Sequence, residues 1–377
     1  MLKQKMKRDI KNNLSQFITI FLMVTIGVMA YSGIKAYMDG MTETAKVFYE
    51  ENNLQDMNVY GIDFTESDLE KIKAIKNVKN AERKSSINAT TDNDNVLLLN
   101  IIETNEISKF YVIDGEGFGN KDGIWLDNFY AKENNIKVGG TIKVNDETKK
   151  VLGLINVPDH LYDTKDESEL FPNRKTFGFA YINKMENTSY NYIMVDLEDT
   201  SKYDETKKEI EDSLSNVLAV IDIKDTSSYK TYQGEIDEGK TYVGVFSGLF
   251  LLIALLSTLT TMTRVVQNQR TQIGTLKALG FSNKQILVHY ISYGFYISLL
   301  GAIVGLFLGY FFIGNIFINL EMSFFEVPNG KPLMNSTSYL IAALSILAII
   351  IVTIISVKNI LKETPASCLQ KKAPTQK

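Results

Sequence analysis

The sequence predicts a membrane α-helical protein: four transmembrane helices, with a large mixed α/β extracytoplasmic domain between helices one and two. Three observations predict it. Four uncharged apolar runs are long enough to cross a bilayer, a polar stretch over residues 35–240 follows the first of them, and Lys and Arg are unevenly distributed. The mean hydropathy is only -0.05, because the polar stretch averages the apolar runs away.

A bilayer core about 30 Å thick takes roughly 20 apolar residues of helix. The first candidate span is residues 17–34, inside an uncharged run over 12–34. The second is 241–263, the third lies within 285–320 from 286 to about 312, and the fourth is about 339–357. Val28-Met29-Ala30 resembles a signal-peptide cleavage site, but the apolar stretch continues to Ile34, longer than a signal core. The first span is therefore read as retained.

Direction follows from the cations. Lys3, Lys5, Lys7, Arg8 and Lys11 precede span one; Arg264, Arg270, Lys277 and Lys284 lie between spans two and three; Lys358, Lys362, Lys371, Lys372 and Lys377 follow span four. Those groups hold 14 cations against two acids, Asp9 and Glu363, whereas residues 35–240 hold 25 cations and 40 acids. Both termini are thus expected in the cytoplasm and residues 35–240 outside the plasma membrane. The organisation read from this is a cytoplasmic N-terminus with helix one over 1–34, an outer domain over 35–240, and a membrane part over 241–377. The formal net charge of -4 is the difference between two opposed halves, and no nucleic-acid partner is expected.

The outer domain alternates strand-like and helical patterns. Strands are expected at 58–60, 95–102, 124–126, 141–144, 150–157, 178–182, 192–197 and 220–223. Helices are expected at 66–76, with Leu69, Ile72 and Ile75 on one face, and at 204–217, with Ile210, Leu214 and Val217. The arrangement suggests two small lobes, without internal repeat or low-complexity segment. Its many aromatics, among them Phe110, Trp125, Tyr130, Phe171, Phe179 and Tyr181, read as core before they read as a ligand surface. The acidic run over 163–169 reads as a solvated loop, since its spacing is not that of a calcium loop. With two histidines, His160 and His289, and the single Cys368, no metal site is expected and stability must come from packing.

Residues 234–241 read GEIDEGKT, from Gly234 to Thr241, and match the phosphate-binding loop pattern letter for letter. Such a loop follows a buried strand and cradles phosphate with free amides. Here the preceding residues are polar, Glu235, Asp237 and Glu238 would repel phosphate, and the following helix is a span. The match is rejected: the chain is read as binding no nucleotide or other cofactor, and no nucleophile–base pair marks it as an enzyme.

In span three, Gly301, Gly305 and Gly309 repeat every four residues, flanked by Gly294 and Gly314; span two has Gly244 and Gly248. Glycines so spaced let helices approach closely, either at a subunit interface or among the chain's own spans. No span contains Asp, Glu, Lys or Arg, which disfavours an ion pathway through the helices. His289 reads as interfacial.

The most informative stretch lies over 270–286, RTQIGTLKALGFSNKQI, within a cytoplasmic turn over 264–285. Ile273 and Leu276 share one helical side, and Arg270 and Lys277 are polar beside them. Gly280 is placed as a left-handed cap, and Ser282 with Gln285 forms a capping box that opens span three. By itself this is a basic helix suited to anionic lipid headgroups.

The segment IGTLKALGFSNKQI resembles the signature of the FtsX-like permease domain of MacB-type ABC transporters. The order of one span, a large outer domain and three spans is similar, as is the closing KETPASCLQ. The stretch IWLDNFYAKENNIKVGGTIKV is similar to part of the family's outer core domain, with Gly140 where Asp is common. The resemblance implies that Arg270, Gln272, Ile273, Leu276, Lys277, Ala278, Gly280 and Phe281 rest on a cytoplasmic ATPase dimer that uses ATP. Many relatives carry Glu in place of Gln272. It also implies mechanotransmission: the partner's stroke is passed through the spans to the outer domain, for export or extraction of peptide, lipid or lipoprotein cargo. The ending near Lys371 and Lys372 suggests either a second permease half or a homodimer. The alternative is a non-transporting receptor, a scaffold or a regulator of cell-envelope enzymes.

Overall fold

The computed structural model describes residues 8, 11, 14–91, 95–166, 168–185 and 187–369. Lys3, Lys5, Lys7, Asp9, Lys371, Lys372 and Lys377 lie outside the described residues. The chain forms two compact units: one takes the N-terminus to Met41, Asp237–Ile318 and the chain from Lys331, and the other takes Thr42–Ile236 with Asn319–Gly330.

The membrane unit is built from helices α1 (Leu14–Glu51), α5 (Ser227–Asn268), α6 (Arg270–Ala278), α7 (Asn283–Leu308), α9 (Ser336–Leu361) and α10 (Pro365–Leu369). The helices containing the four spans exceed the expected bounds, α1 with 38 residues and α5 with 42. At 1.5 Å per residue both are much longer than a 30 Å bilayer core requires. Span three also does not run as one regular helix. After α7 it winds as a π-helix over Gly309–Gly314, then resumes as α8 (Asn315–Glu321).

Within this unit, Val24 and Val28 of α1, Val265 and Val266 of α5, and Ile286, Tyr290 and Ile297 of α7 bury together with Ile349 and Val357 of α9. Lipid supplies no hydrophobic drive between spans, so close packing must hold them. The glycines of span three serve it. A Cβ at Gly301 would lie 3.0 Å from the Phe21 carbonyl oxygen, at Gly305 2.8 Å from that of Thr25, and at Gly309 2.9 Å from that of Met29. Thr25 Oγ1 donates to the Gly301 carbonyl across the same contact, at 3.3 Å. This stripe is therefore packing within the chain. Gly244 and Gly248 differ: nothing lies within 4 Å of a Cβ at either, so α5 leaves that face open. His289 is buried among the helices and bonded to the Tyr293 hydroxyl at 3.1 Å.

The second unit is a ten-stranded sheet with strand order β10-β1-β9-β2-β3-β8-β5-β7-β4 and β6 paired to β7. The strands are β1 (Met57–Gly61), β2 (Val78–Thr90), β3 (Val96–Ile102), β4 (Tyr111–Gly115), β5 (Ile124–Asp127), β6 (Thr141–Val144), β7 (Glu147–Asn156), β8 (Phe177–Asn183), β9 (Tyr192–Leu197) and β10 (Val217–Asp222). Helices α2 (Glu66–Lys73), α3 (Asn128–Glu133) and α4 (Tyr203–Ser213) complete it. The units β1-α2-β2 and β9-α4-β10 interleave as β10-β1-β9-β2, the split βαβ arrangement of ferredoxin-like folds. Leu69 and Ile72 of α2 and Ile210 of α4 cover Val59, Ile193, Val195 and Val220.

The remaining strands are inserted between β2 and β9 and extend the same sheet, so the expected two lobes are one sheet with separate cores. Alternation divides them: Ile124 and Leu126 face one core with Ala180 and Ile182, while Trp125 faces the other with Phe179 and Tyr181. Most of the aromatics are thus core, but Leu170 and Phe171 are exposed. The helix expected to reach Val217 stops at Ser213, because Val217 begins β10.

Strand β2 escaped the pattern because its centre carries buried charge. Glu82, Arg83 and Lys84 are all buried. Glu82 accepts from the amides of Glu106 and Ile107, Arg83 pairs with Glu66 and Glu103, and Lys84 pairs with Asp159 at 3.1 Å. Burial raises the Asp159 carboxyl, but Lys84 and His160 outweigh it and hold the pKa at about 2. Burial favours a neutral His160 ring, yet Asp159 and Asp163 prevail and raise its pKa. Asp163 therefore belongs to this network, bonded to His160 Nδ1 at 2.5 Å, and not to a solvated loop.

The glycine contacts give a direct contrast. Gly305→Val forces Thr25 and Val28 apart and should cost roughly 1–3 kcal/mol in a denaturant titration of the purified chain. Gly248→Ala meets open space and should stabilise the monomer by up to about 1 kcal/mol through helix propensity alone.

Candidate functional site

Spans two and three are joined by a turn whose backbone is closed almost completely on itself. Helix α5 breaks at Gln269, which is buried and whose Oε1 accepts from the Tyr290 hydroxyl at 2.7 Å. Helix α6 then runs nine residues and stops at Leu279. Gly280 follows with φ +88°, as expected from its position. The Gly280 amide donates to the Lys277 carbonyl, and the Phe281 amide to that of Leu276 at 3.1 Å. These are the paired bonds of a Schellman motif, and Phe281 packs into the same apolar cluster as Leu276. One residue on, Ser282 caps α7: its Oγ accepts from the Gln285 amide and its own amide donates to Gln285 Oε1 at 2.9 Å. The chain thus ends one helix and opens the next within four residues.

Ile273 and Leu276 are buried and point into the membrane-unit core. Arg270 and Lys277 are tied to the end of the chain. Arg270 Nε lies 2.7 Å from Glu363 Oε2, and its Nη2 donates to the Ser367 carbonyl at 2.6 Å. Lys277 Nζ donates to the carbonyls of Leu361 and Glu363 at 2.8 and 2.7 Å. The Leu361 carbonyl ends α9, where a cation satisfies an orphan acceptor and the negative end of the helix dipole, and the Glu363 carbonyl lies just beyond it. Arg270 therefore fastens α6 to α10, and Lys277 fastens it to the end of α9 and the link that follows.

Between the exposed cations Arg264 and Lys284, the exposed residues of α6 and its cap are uncharged. Gln272, Thr275, Ala278 and Gly280 are exposed, and Leu279 is 63 % exposed. Of the eight residues singled out, Gln272, Ala278 and Gly280 share the accessible face and Phe281 is half-buried beneath it. Leu279, Glu363 and Gln269 were missed. Leu279 had a readable signal, an apolar residue just before a helix-ending glycine; Glu363 lies too far along the chain to show its partner.

The stretch from Gly234 to Thr241 is helical throughout, inside α5, not the outer loop expected from the sequence. Its amides are committed to the helix, which is not the form of a phosphate cradle.

The tail clamp has measurable strength. Arg270→Met and Glu363→Gln should each loosen α10 to proteolysis, with a coupling energy of about 0.5–3 kcal/mol in a double-mutant cycle. Gly280→Ala should destabilise the turn by about 1–2 kcal/mol, because the left-handed backbone conformation penalises a Cβ.

Two family profiles match this chain: the MacB-like periplasmic core domain over residues 17–213 and the FtsX-like permease C-terminal domain over 244–365. An uncharacterized ABC transporter permease of Methanocaldococcus jannaschii is 24% identical over 351 residues, covering 82% of this chain and 80% of that protein. Two solved structures align at low TM-score. The extracellular domain of the noncanonic ABC-type transporter YknZ from Gram-positive bacteria gives 0.33 at 16% identity, covering 45% of this chain and 98% of that one. The periplasmic region of MacB from Actinobacillus actinomycetemcomitans gives 0.32 at 10% identity, covering 50% and 95%. With four helices among the described residues long and apolar enough to cross a membrane and a periplasmic-type domain between the first two, the chain belongs to the FtsX- and MacB-type ABC transporter permeases.

Proposed function

We propose that this permease takes its energy from a separate cytoplasmic ATPase dimer seated on the turn over 264–285, and passes that motion to its extracytoplasmic domain. The observation that carries this reading is the construction of the turn. A Schellman motif, a capping box and a two-cation clamp make it stiff, and they leave a narrow neutral strip of Gln272, Thr275, Ala278 and Leu279 to be gripped. A stiff element transmits a displacement that a flexible loop would absorb. The uninterrupted helices α1 and α5 support the same reading, because a push at one end of a hydrogen-bonded helix is felt at the other.

Both termini lie in the cytoplasm in this reading and residues 35–240 lie outside, which the cation distribution supports. ATP is bound and hydrolysed by the partner. The cargo is a peptide, lipid or lipoprotein moved from or within the outer leaflet, which suits spans without charged residues. A second copy covers the open face of α5 around Gly244 and Gly248, where Val245 and Leu249 are exposed between and beside the glycines.

Two measurements test this. Leu279→Asp and Ala278→Asp place a charge on the exposed strip without touching the core, and should each lower recovery of the ATPase with the permease at least tenfold. Full recovery and undiminished ATP-driven activity in both variants would leave the turn as a lipid-facing helix and the chain as a receptor or scaffold. In a Cys368→Ser background, Gly244→Cys should give a disulfide-linked dimer in native membranes; a chain that stays monomeric under oxidation removes the α5 interface.

A further inference from the structure

Residues Asn319–Gly330 connect spans three and four and belong to the same compact unit as the sheet. They are fastened there chiefly around Glu326, which is 0% exposed. Its amide donates to the Leu161 carbonyl at 2.9 Å, and its own carbonyl accepts from Asn156 Nδ2 at 2.8 Å. The neighbouring Phe325 ring packs against Tyr162 and Tyr232.

The side chain meets a second buried acid. Glu326 Oε1 pairs with the Arg174 guanidinium, whose Nη2 also donates to the Phe324 carbonyl at 3.2 Å. Asp127, also 0% exposed, caps α3 through Oδ1, which accepts from the Phe129 and Tyr130 amides at 2.7 and 3.3 Å. Asp127 Oδ2 and both Glu326 carboxyl oxygens then make no hydrogen bond among the described residues, and of the three only Glu326 Oε1 has the Arg174 ion pair. The two carboxyls are within hydrogen-bonding reach of each other. Two facing acceptors that are both anionic would carry the full cost of an unsatisfied buried charge. One proton between them removes it.

The surrounding charges reach the same count. Two buried cations, Lys84 and Arg174, and the His160 ring, whose protonated form Asp159 and Asp163 favour, stand against three acids, Asp159, Asp163 and Asp127. Tyr162 adds a neutral hydroxyl beside Arg174. Glu326 is the acid left over. We propose that Asp127 and Glu326 share a single proton, and that this proton fastens the connection between spans three and four to the outer sheet.

Burial raises the Glu326 carboxyl well above the usual carboxylate range, Asp127 raises it further, and Arg174 only partly opposes. Burial also raises Asp127, against Arg174 and the two capping amides. The proton belongs to the pair rather than to one residue. Because the folded pKa is raised, the stabilisation is complete below the ordinary glutamate pKa and is lost as pH rises through the folded value. His160, raised as well, loses its share in the same direction, so variants must separate the two contributions.

Hydrogen exchange of the full chain in lipid nanodiscs, followed from pH 6 to pH 9 over residues 323–329, provides the test. In the wild type, protection should fall by up to about tenfold per pH unit for one proton released. In Glu326→Gln, which keeps the hydrogen bond without a titrating group, the fall should shrink to the His160 share. Infrared spectra supply a readout independent of stability: the carbonyl band of a protonated carboxyl should be present near neutral pH and absent from both Glu326→Gln and Asp127→Asn. A band that persists in both variants, or an equal pH slope in wild type and Glu326→Gln, overturns the proposal. Neither measurement involves the ATPase, so the outcome is separate from that of the coupling turn.

Discussion

A backbone amide or carbonyl left unpaired in hydrocarbon costs several kcal/mol, and this constraint governs how the chain can reverse direction at the membrane. The turn between spans two and three meets it with very few residues. The Gly280 and Phe281 amides satisfy the end of α6, Ser282 and Gln285 satisfy the start of α7, and Lys277 satisfies the end of α9. Polar groups that would otherwise need water are consumed internally, and the exposed face of α6 that remains is short, uncharged and stiff, with Arg264 and Lys284 exposed at either side. In the coupling we propose, its fitness as a seat for the ATPase follows from how its own hydrogen bonds are closed.

The same accounting explains the glycines. Between spans, attraction comes from contact rather than from expulsion of water, so α7 approaches α1 until Gly301, Gly305 and Gly309 touch carbonyl oxygens. Thr25 and Ser32 then direct hydroxyls at glycine carbonyls across the contact. Nothing of this kind occurs at Gly244 and Gly248. An identical sequence motif therefore has two structural meanings in one chain, and only the neighbours distinguish them.

Much of the architecture was legible because it depends on local rules. Apolar run length located the spans, and glycine and serine chemistry located the reversal at Gly280 and Ser282. Short strands such as β5 and β9 announced themselves by β-branched and apolar content. What escaped depends on partners far along the chain. Strand β2 reads as polar because Glu82, Arg83 and Lys84 are neutralised by Glu103, Asp159 and the amides of 106 and 107. Arg270 and Lys277 read as a basic handle because their partners, Glu363 and the carbonyls of Leu361, Glu363 and Ser367, lie 84 to 97 residues away. Charge within a sequence declares its sign but not its partner.

Buried charge is a poor way to gain stability, since well-packed apolar side chains of similar volume often do as well or better. Its presence in β2 and around Glu326 therefore asks for another explanation than strength. An apolar contact holds equally well at any pH and tolerates small slips. With the His160 ring protonated, a set of seven ionisable groups that is neutral only when one further proton is shared has a single satisfied arrangement, and it is lost when that proton leaves. For a segment linking two spans, such a fastening is specific in register and reversible by a single proton. Those are properties that an apolar plug of Leu or Phe at position 326 could not supply.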